Sequence, residues 1–454
     1  AAGPLFYMDP VLSGERADQD RAKADTIARV LGGLDLVAFA PGANDWANGR
    51  GGLITLARDA GATALLPDAT GGAPFARVLV RDAGGLNVGF VGYGISEGAG
   101  RASGAAAEEA VRRGVEEAKK QGANVLVALV SVGRGEAKRI ADAVPELTAV
   151  VVGSARANGD TNTIAPEGER VGDVLIAQAS NHLQSVAVLD LYVRDPTVPG
   201  RVLRFADATG LDRSERREDL DRRIDDLHRR ISAWQRDGET NQADLSARRR
   251  DLAQLESDRE ALDHQKPPPP KGSFLRYALK EVRESMGSDP AIEQSMARYY
   301  QSINDHNRIA LAHRLPPPLG PSDAAYVGIN VCSSCHPGAR RVWDKTKHAH
   351  AYATLSVQFK EYNLECVSCH VTGYGKPGGS TVTHVDSLEN VQCEVCHGPG
   401  GKHVENPTDP TRIIASPQAA QCLECHHPPH VEGFDAVAKM KEILGPGHGL
   451  PGGA

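Results

Sequence analysis

Cys332-Ser-Ser-Cys335-His336 is the first of four copies of one short pattern, followed by Cys366-Val-Ser-Cys369-His370, Cys393-Glu-Val-Cys396-His397 and Cys422-Leu-Glu-Cys425-His426. Together they use all eight cysteines of the 454-residue chain, leaving none for a disulfide or a free thiol. A C-x-x-C pair alone would suit a redox dithiol or half of a zinc site. Zinc, however, does not require a histidine directly after every second cysteine. C-x-x-C-H is the attachment sequence of c-type haem, in which both thiols form thioethers to the porphyrin and the adjacent imidazole ligates the iron. The pattern implies four covalently bound haem c groups, held by Cys332, Cys335, Cys366, Cys369, Cys393, Cys396, Cys422 and Cys425. His336, His370, His397 and His426 are the expected proximal ligands.

The four sites begin at 332, 366, 393 and 422, within a C-terminal region of about 130 residues, 323–454. A domain of that size has a radius of gyration of only ~14 Å, so four macrocycles must be near neighbours and form most of its core. Short helices and loops wrapped around cofactors are the expected structure, and closely spaced haems make a relay for electrons. Each iron then needs a sixth ligand or keeps an open face. Of the 16 histidines, 11 lie after residue 330, leaving His348, His350, His384, His403, His427, His430 and His448 beside the proximal four. His427 directly follows a proximal ligand and is awkwardly placed as the distal ligand of the same haem. The enrichment points to mostly bis-histidine haems, a ligation that favours electron transfer over binding of small molecules.

Upstream the sequence is of another kind. Over 1–205, apolar runs alternate with amphipathic stretches: 34–39, 124–130, 149–153, 173–179 and 185–193 read as strands, and 106–121 and 134–143 as helices. Arg77 to Gly94 reads as a hairpin about Ala83-Gly84-Gly85. The alternation predicts an α/β domain with a layered sheet. In 206–270, Leu220, Ile224, Leu227, Ile231 and Trp234 recur at 4-3-4-3 spacing. Asp237-Gly238 breaks the pattern, and Leu245, Leu252, Leu255 and Leu262 resume it. This predicts an antiparallel coiled-coil hairpin ended by Pro267 to Pro270. Its arginines alternate with acidic residues, which makes it a solvated arm or an oligomer contact and not a nucleic-acid surface. Residues 271–322 read as two helices broken at Gly287-Ser288-Asp289-Pro290, then a proline-rich linker through Leu315-Pro316-Pro317-Pro318.

Composition agrees with a modular, water-facing protein. Hydrophobic residues make up 41% and charged residues 24%, and the net charge is −7, which provides no bulk basic field for nucleic acid. No apolar run reaches the ~18–20 residues of a membrane-spanning helix. Because haem is joined to C-x-x-C-H outside the cytoplasm, the expected location is the periplasm or the cell surface. The opening Ala1-Ala2-Gly3-Pro4 carries no charged-then-apolar leader and reads as already processed.

The C-terminal motifs resemble one family. Tyr326-Val327-Gly328, Trp343, Lys345-Thr346-Lys347-His348-Ala349-His350-Ala351, Cys366 through Gly375 and Val391 through Gly400 are similar to the tetrahaem cytochrome that carries electrons from hydroxylamine oxidation in ammonia-oxidising bacteria. The resemblance covers roughly 326–430. It implies distal ligation by His348 and His403 and a second haem lacking a protein distal ligand. His350 and His384 are extra relative to that pattern and, with His430 and His448, remain candidate distal ligands. Residues 20–195 resemble, more weakly, the metallophosphoesterase domain of secreted 5′-nucleotidases. Pro41-Gly42-Ala43-Asn44-Asp45 sits where a Gly-Asn-His-Asp/Glu metal motif would lie, with Asn44 at the histidine position. Ser131-Val132-Gly133 and Gly153-Ser154-Ala155-Arg156 replace two further histidine-bearing segments, and His182 is the sole histidine before residue 206. A two-metal site needs a dense set of histidines and carboxylates, so this resemblance implies a degenerate, non-catalytic scaffold.

The resulting expectation is a multidomain chain: an α/β metallophosphoesterase-like sandwich, an antiparallel coiled-coil hairpin, and a mostly α/loop tetrahaem cytochrome c domain. Its function would be electron transfer between a redox donor and an acceptor protein. Two rival readings are an oxidoreductase acting on a small nitrogen or sulfur species at one open haem, and a subunit of a homo-oligomer or larger cytochrome complex.

Overall fold

The computed structural model describes residues 1–69, 72–98, 104–155, 165–181, 183–194, 198–209, 213–237, 242–264, 272–427, 430–431 and 433–451. Arg156, His182, Gly238 and Pro267 to Pro270 lie outside the described residues.

In chain order, the first unit contains α1 (Ala17–Gly33), β1 (Ala38–Phe39), α2 (Gly49–Asp59), β2 (Thr63–Leu65), β3 (Phe75–Ala76), β4 (Val78–Asp82), β5 (Asn87–Tyr93), α3 (Ala105–Lys120), β6 (Val125–Ser131), α4 (Arg134–Ala143), β7 (Ala149–Gly153), β8 (Glu169–Val171), β9 (Val174–Ala177) and β10 (Ser185–Tyr192). After it come β11 (Ala206–Asp207), α5 (Arg213–Asp237), α6 (Gln242–His264), β12 (Phe274–Glu281) and α7 (Pro290–Ala310). Six strands form one sheet in the order β4-β5-β6-β7-β9-β8, parallel from β5 through β9 and antiparallel at both edges. β4 and β5 are the expected hairpin.

Every residue of β6 is buried, as a central parallel strand with both faces covered requires. Its side chains alternate between two cores. Leu126, Ala128 and Val130 pack under α3 and α4, while Val125, Val127 and Leu129 meet Leu65, Phe205 and Leu275 on the other face. On α3 the buried stripe is Ala107, Ala110, Val111, Gly114, Val115 and Ala118, the spacing of one helix face. Gly114 must be glycine, because a Cβ there would strike the Val91 side chain.

Two expectations need correction. Of the run 34–39, only Ala38–Phe39 is strand; Leu34 caps α1 and Asp35 turns the chain at φ 55°. Residues 274–281, expected as helix within 271–322, form β12, antiparallel to all eight residues of β10 and parallel to β11. Leu275, Ala278 and Leu279 fit a helical period as well as a strand, and only the unpaired edge of β10 decides between them. Tyr192 and Phe274 lie directly opposite and stack at 4.5 Å, which pins the register. The boundaries at 205 and 271 therefore move: β11 and β12 belong to the first unit, and α5–α6 is inserted between two neighbours of one sheet. Those two helices run antiparallel, with Leu220, Ile224, Ile231, Leu245 and Leu262 buried and Arg259 bridging Asp221 at 3.1 Å.

The loops at the carboxyl ends of β1, β6 and β7 are filled by the chain's own first residues. Asp45 accepts N–H bonds from Leu5 (2.8 Å), Phe6 (3.0 Å) and Gly42 (2.9 Å). Ser131 Oγ accepts from Gly3 N at 3.0 Å and donates to Ala40 O at 2.7 Å. Asn44 Nδ2 donates to Met8 O, and a Cβ on Gly153 would strike the Ala2 carbonyl.

Full burial pushes the Asp45 carboxyl up to about 6, against the downward pull of its three N–H donors. The folded state therefore binds the extra proton between about pH 4 and 6, and stability falls as pH rises through that window, by about 3 kcal/mol. Asp45→Asn removes this slope; by leaving one N–H without an acceptor it costs about 1–3 kcal/mol at pH 4, where the wild-type carboxyl is protonated, and at pH 7 the loss of the buried charge offsets that cost. Urea unfolding of both proteins at pH 4 and pH 7 measures the two effects.

Candidate haem sites

Beyond residue 322 the structure is short helices and turns, as a chain with little side-chain core must be. Among the described residues its cluster of buried apolar side chains is Tyr352, Val367, Val371 and Val382, with Leu311, Tyr362 and Leu364 packed beside them. The helices Ile329–Cys335, Val367–His370 and Cys393–His397 and the 3-10 turn Ala419–Glu424 each carry one C-x-x-C-H copy at or across their C-terminal end. One helical turn separates the paired cysteines, so both thiols face the same side.

Two buried polar side chains beside Cys393 hold the first and third copies together. The Glu394 carboxylate accepts N–H bonds from Val327 (3.0 Å), Gly328 (2.8 Å) and Gly400 (2.8 Å). Gln392 Oε1 accepts from Ile329 N at 2.7 Å, its Nε2 donates to the Ser387 and Glu389 carbonyls, and its N–H donates to Thr372 Oγ1 at 3.0 Å. Gly328 starts the first helix at φ 77°, which leaves its N–H aimed at Glu394. Sequence reasoning missed Glu394, Gln392 and Thr372; the signal was a carboxylate placed between two cysteines that had to be near neighbours of another site.

Four of the eight cysteines meet in two pairs. The thiols of Cys332 and Cys393 lie within hydrogen-bonding reach, as do those of Cys369 and Cys425, while Cys396 feels the charge of Cys422. The neighbouring thiol lowers Cys332 below the ordinary thiol value and Cys369 to about 6.

The histidines also pair. His336 faces His403 with ring centroids 6.3 Å apart, His348 faces His426 at 6.2 Å, and His397 faces His448 at 6.2 Å. A metal–imidazole bond of about 2.0 Å places the ring centroid about 3.1 Å from the metal, so two axial imidazoles sharing one iron have centroids about 6.2 Å apart. The three pairs fit that separation. Burial, and the neighbouring imidazoles, lower His348 and His397, and burial lowers His426, keeping them in the neutral form that ligates metal. His370, His397 and His448 each direct Nδ1–H at a backbone carbonyl, of Ala351 (2.6 Å), Ile414 (2.7 Å) and Ile443 (2.8 Å), which leaves Nε2 with its lone pair free. His403 Nδ1 is buried with no hydrogen-bond partner among the described residues, the condition of a ring nitrogen reserved for a metal. Phe434 stacks on His426 at 4.1 Å and fixes its ring plane.

The remaining candidates are placed otherwise. His370 is a member of none of these three pairs. His350 is exposed, and His384 sits 3.1 Å from Thr383 Oγ1. His427 and His430 lie 6.1 Å apart and are joined by a hydrogen bond from His430 N–H to His427 O. Glu394→Gln removes the charge and one acceptor from three buried N–H donors, and it should cost about 1–3 kcal/mol in urea unfolding of the holoprotein.

Residues 331–398 match the family described as cytochrome c554 and c-prime. The chain is 36% identical over 95 residues to cytochrome c-554 of Nitrosomonas europaea, covering 17% of this chain and 40% of that protein. It thus spans less than half the length of that curated relative. Among solved structures, a 5′-nucleotidase precursor from Thermus thermophilus aligns at 21% identity with a TM-score of 0.29, over 40% of this chain and 39% of its own. The sulfate thiohydrolase SoxB of the same species, in complex with glycerol, aligns at 16% identity and a TM-score of 0.31, over 42% and 34%. The haem-motif region of this chain is similar to the cytochrome c554 and c-prime family, and it is fused in one chain to an α/β unit.

Proposed function

We propose that this chain is a tetrahaem c-type cytochrome that passes electrons between redox proteins outside the cytoplasm. The observation that carries the reading is the separation of three facing imidazole pairs, 6.2–6.3 Å, each joining one C-x-x-C-H histidine to one distant histidine. In this reading His336 and His403 hold the first haem, His397 and His448 the third, and His426 and His348 the fourth. His370 alone holds the second. Bound haem c supplies one-electron storage at each iron, at a potential set by ligands, burial and nearby charge. The neighbouring thiols of Cys332 and Cys393 and of Cys369 and Cys425, with the charge of Cys422 felt at Cys396, support a linear order of first, third, fourth and second site.

The α/β unit carries no phosphoesterase chemistry in this reading. Asn44, Asp45 and Ser131, at the loop ends where metal ligands would be needed, spend their polar atoms on the backbone of residues 3–8. Among the described residues no group of three or more His, Cys, Asp or Glu is placed to hold a metal ion. The α5–α6 pair is a solvated coiled-coil arm available to a sister subunit or a cytochrome partner. Among the described residues no helix is long and apolar enough to cross a membrane. One observation favours a second reading, an oxidoreductase for a small nitrogen or sulfur species: among the described residues His370 lacks a facing imidazole, and an open iron admits a ligand.

Carbon monoxide tests the assignment. In the dithionite-reduced protein a Soret shift should involve about one haem in four, and His348→Ala should raise that to about two in four. A wild-type protein with no shift would give every iron two tight ligands and remove the second reading. Turnover of hydroxylamine, nitrite or nitric oxide by the CO-binding protein would establish it.

A further inference from the structure

The segment 360–365 leads directly into Cys366, and it is fastened to two helices outside the cytochrome match. From α7, Asn304 Oδ1 accepts the Tyr362 N–H at 3.0 Å and its Nδ2 donates to Glu361 Oε1 at 3.0 Å. Asn307 Nδ2 donates both to the Tyr362 carbonyl and to Gln19 Oε1, each at 2.9 Å. From α1, Gln19 Nε2 donates to Asn363 Oδ1 at 3.1 Å, and its Oε1 accepts the Leu364 N–H at 3.0 Å. Gln19, Asn304, Asn307 and Asn363 are all buried, so these amides bond each other in place of water and fix the segment in one position.

Charge is concentrated at the same place. Lys23 Nζ lies 2.9 Å and 3.0 Å from the two oxygens of Glu365, the residue before Cys366. Arg16 Nη2 lies 3.1 Å from Glu365 Oε1 and 3.1 Å from Asp20 Oδ1. Lys360 sits 4.2 Å over the Tyr300 ring, and Tyr299 is buried beside it. Both cations on Glu365 come from α1 and its N-cap, within the α/β unit. Without them a carboxylate in a half-buried position would stand uncompensated next to the second attachment site, where any added electron would be repelled.

We propose that α1 and α7 complete the second haem site, their amides setting the position of Cys366 while Lys23 and Arg16 supply the positive charge that holds up the reduction potential there. The proposal rests on the tetrahaem reading and deepens it: the α/β unit is a working wall of the haem that lacks a second imidazole. The step it acts on is a one-electron reduction of ferric to ferrous iron by a donor protein, with no bond made or broken in the protein. Gln19, Asn304 and Asn307 are positioning residues, acting through the 360–365 backbone.

The test uses the full-length holoprotein and spectroelectrochemical titration. Lys23→Gln should lower the midpoint of one haem of four, the one that binds carbon monoxide, and leave the other three in place; Lys23→Arg should restore it. Gln19→Leu should speed hydrogen exchange at the Leu364 amide, a readout that needs no redox activity. Lys23 is partly exposed, so its substitution leaves the fold intact. Haem content and peptide mass at Cys366 and Cys369 are measured first, and a missing second haem overturns the tetrahaem reading and this proposal with it. Four haems with wild-type midpoints in Lys23→Gln overturn this proposal alone, as does a shift spread equally over all four.

Discussion

Two imidazoles can share one iron only at a fixed separation, and in the proposed tetrahaem reading the described part of residues 323–454 meets that separation three times. His336 and His403, His348 and His426, and His397 and His448 each come from segments far apart in sequence, yet their centroids fall at 6.2–6.3 Å. A region with so small an apolar cluster cannot hold such gaps by side-chain packing alone. Backbone hydrogen bonds to buried polar side chains take that role. Glu394 gathers three N–H groups from two loops, and Gln392 ties the first helix to the turn at 387–389. Macrocycles in the gaps would then supply the apolar mass that the sequence lacks.

The α/β unit solves a different problem, covering both faces of a parallel sheet, and does so with side chains only. β6 contributes alternate residues to two cores, α3 and α4 cover one face, and β10 with β12 covers the other. Its loop ends at the strand carboxyl termini, where open α/β folds usually receive ligands, are closed by residues 2–8 of the same chain. The unit's contact with the haem region runs through α1, α7 and the segment before Cys366. In the proposed reading, this contact is how the α/β unit bears on the second haem site.

Much of this was legible in local patterns. The four C-x-x-C-H copies, the fully apolar run at 125–131, the amphipathic stripe of α3 and the hairpin at 78–93 are each decided by residues within a few positions of one another. β12 was not legible, because Phe274 to Glu281 satisfies a helical period as well as a strand, and the free edge of β10 lies some eighty residues away. Leu34 was misread as strand for a related reason: an apolar residue next to a helix end reads alike whether it continues into a sheet or caps the helix. Glu394 and Gln392 escaped notice because a buried polar side chain looks like a surface one until its partners are known.

The sequence by itself marked the cysteines and the adjacent imidazoles that the proposed haems would use, since C-x-x-C-H is complete within five residues. It also gave the number of motif copies and marked the later histidines as candidate distal ligands, and resemblance singled out His348 and His403 among them. Only the tertiary structure decided the partners: that His448 faces His397, that among the described residues His350, His384 and His430 face none of the proximal imidazoles, and that α1 reaches the segment ahead of Cys366. The physical reason is range. A thioether motif is a matter of covalent reach along one helical turn, whereas axial pairing and charge compensation depend on loops closing over fifty residues or more, which no local pattern encodes.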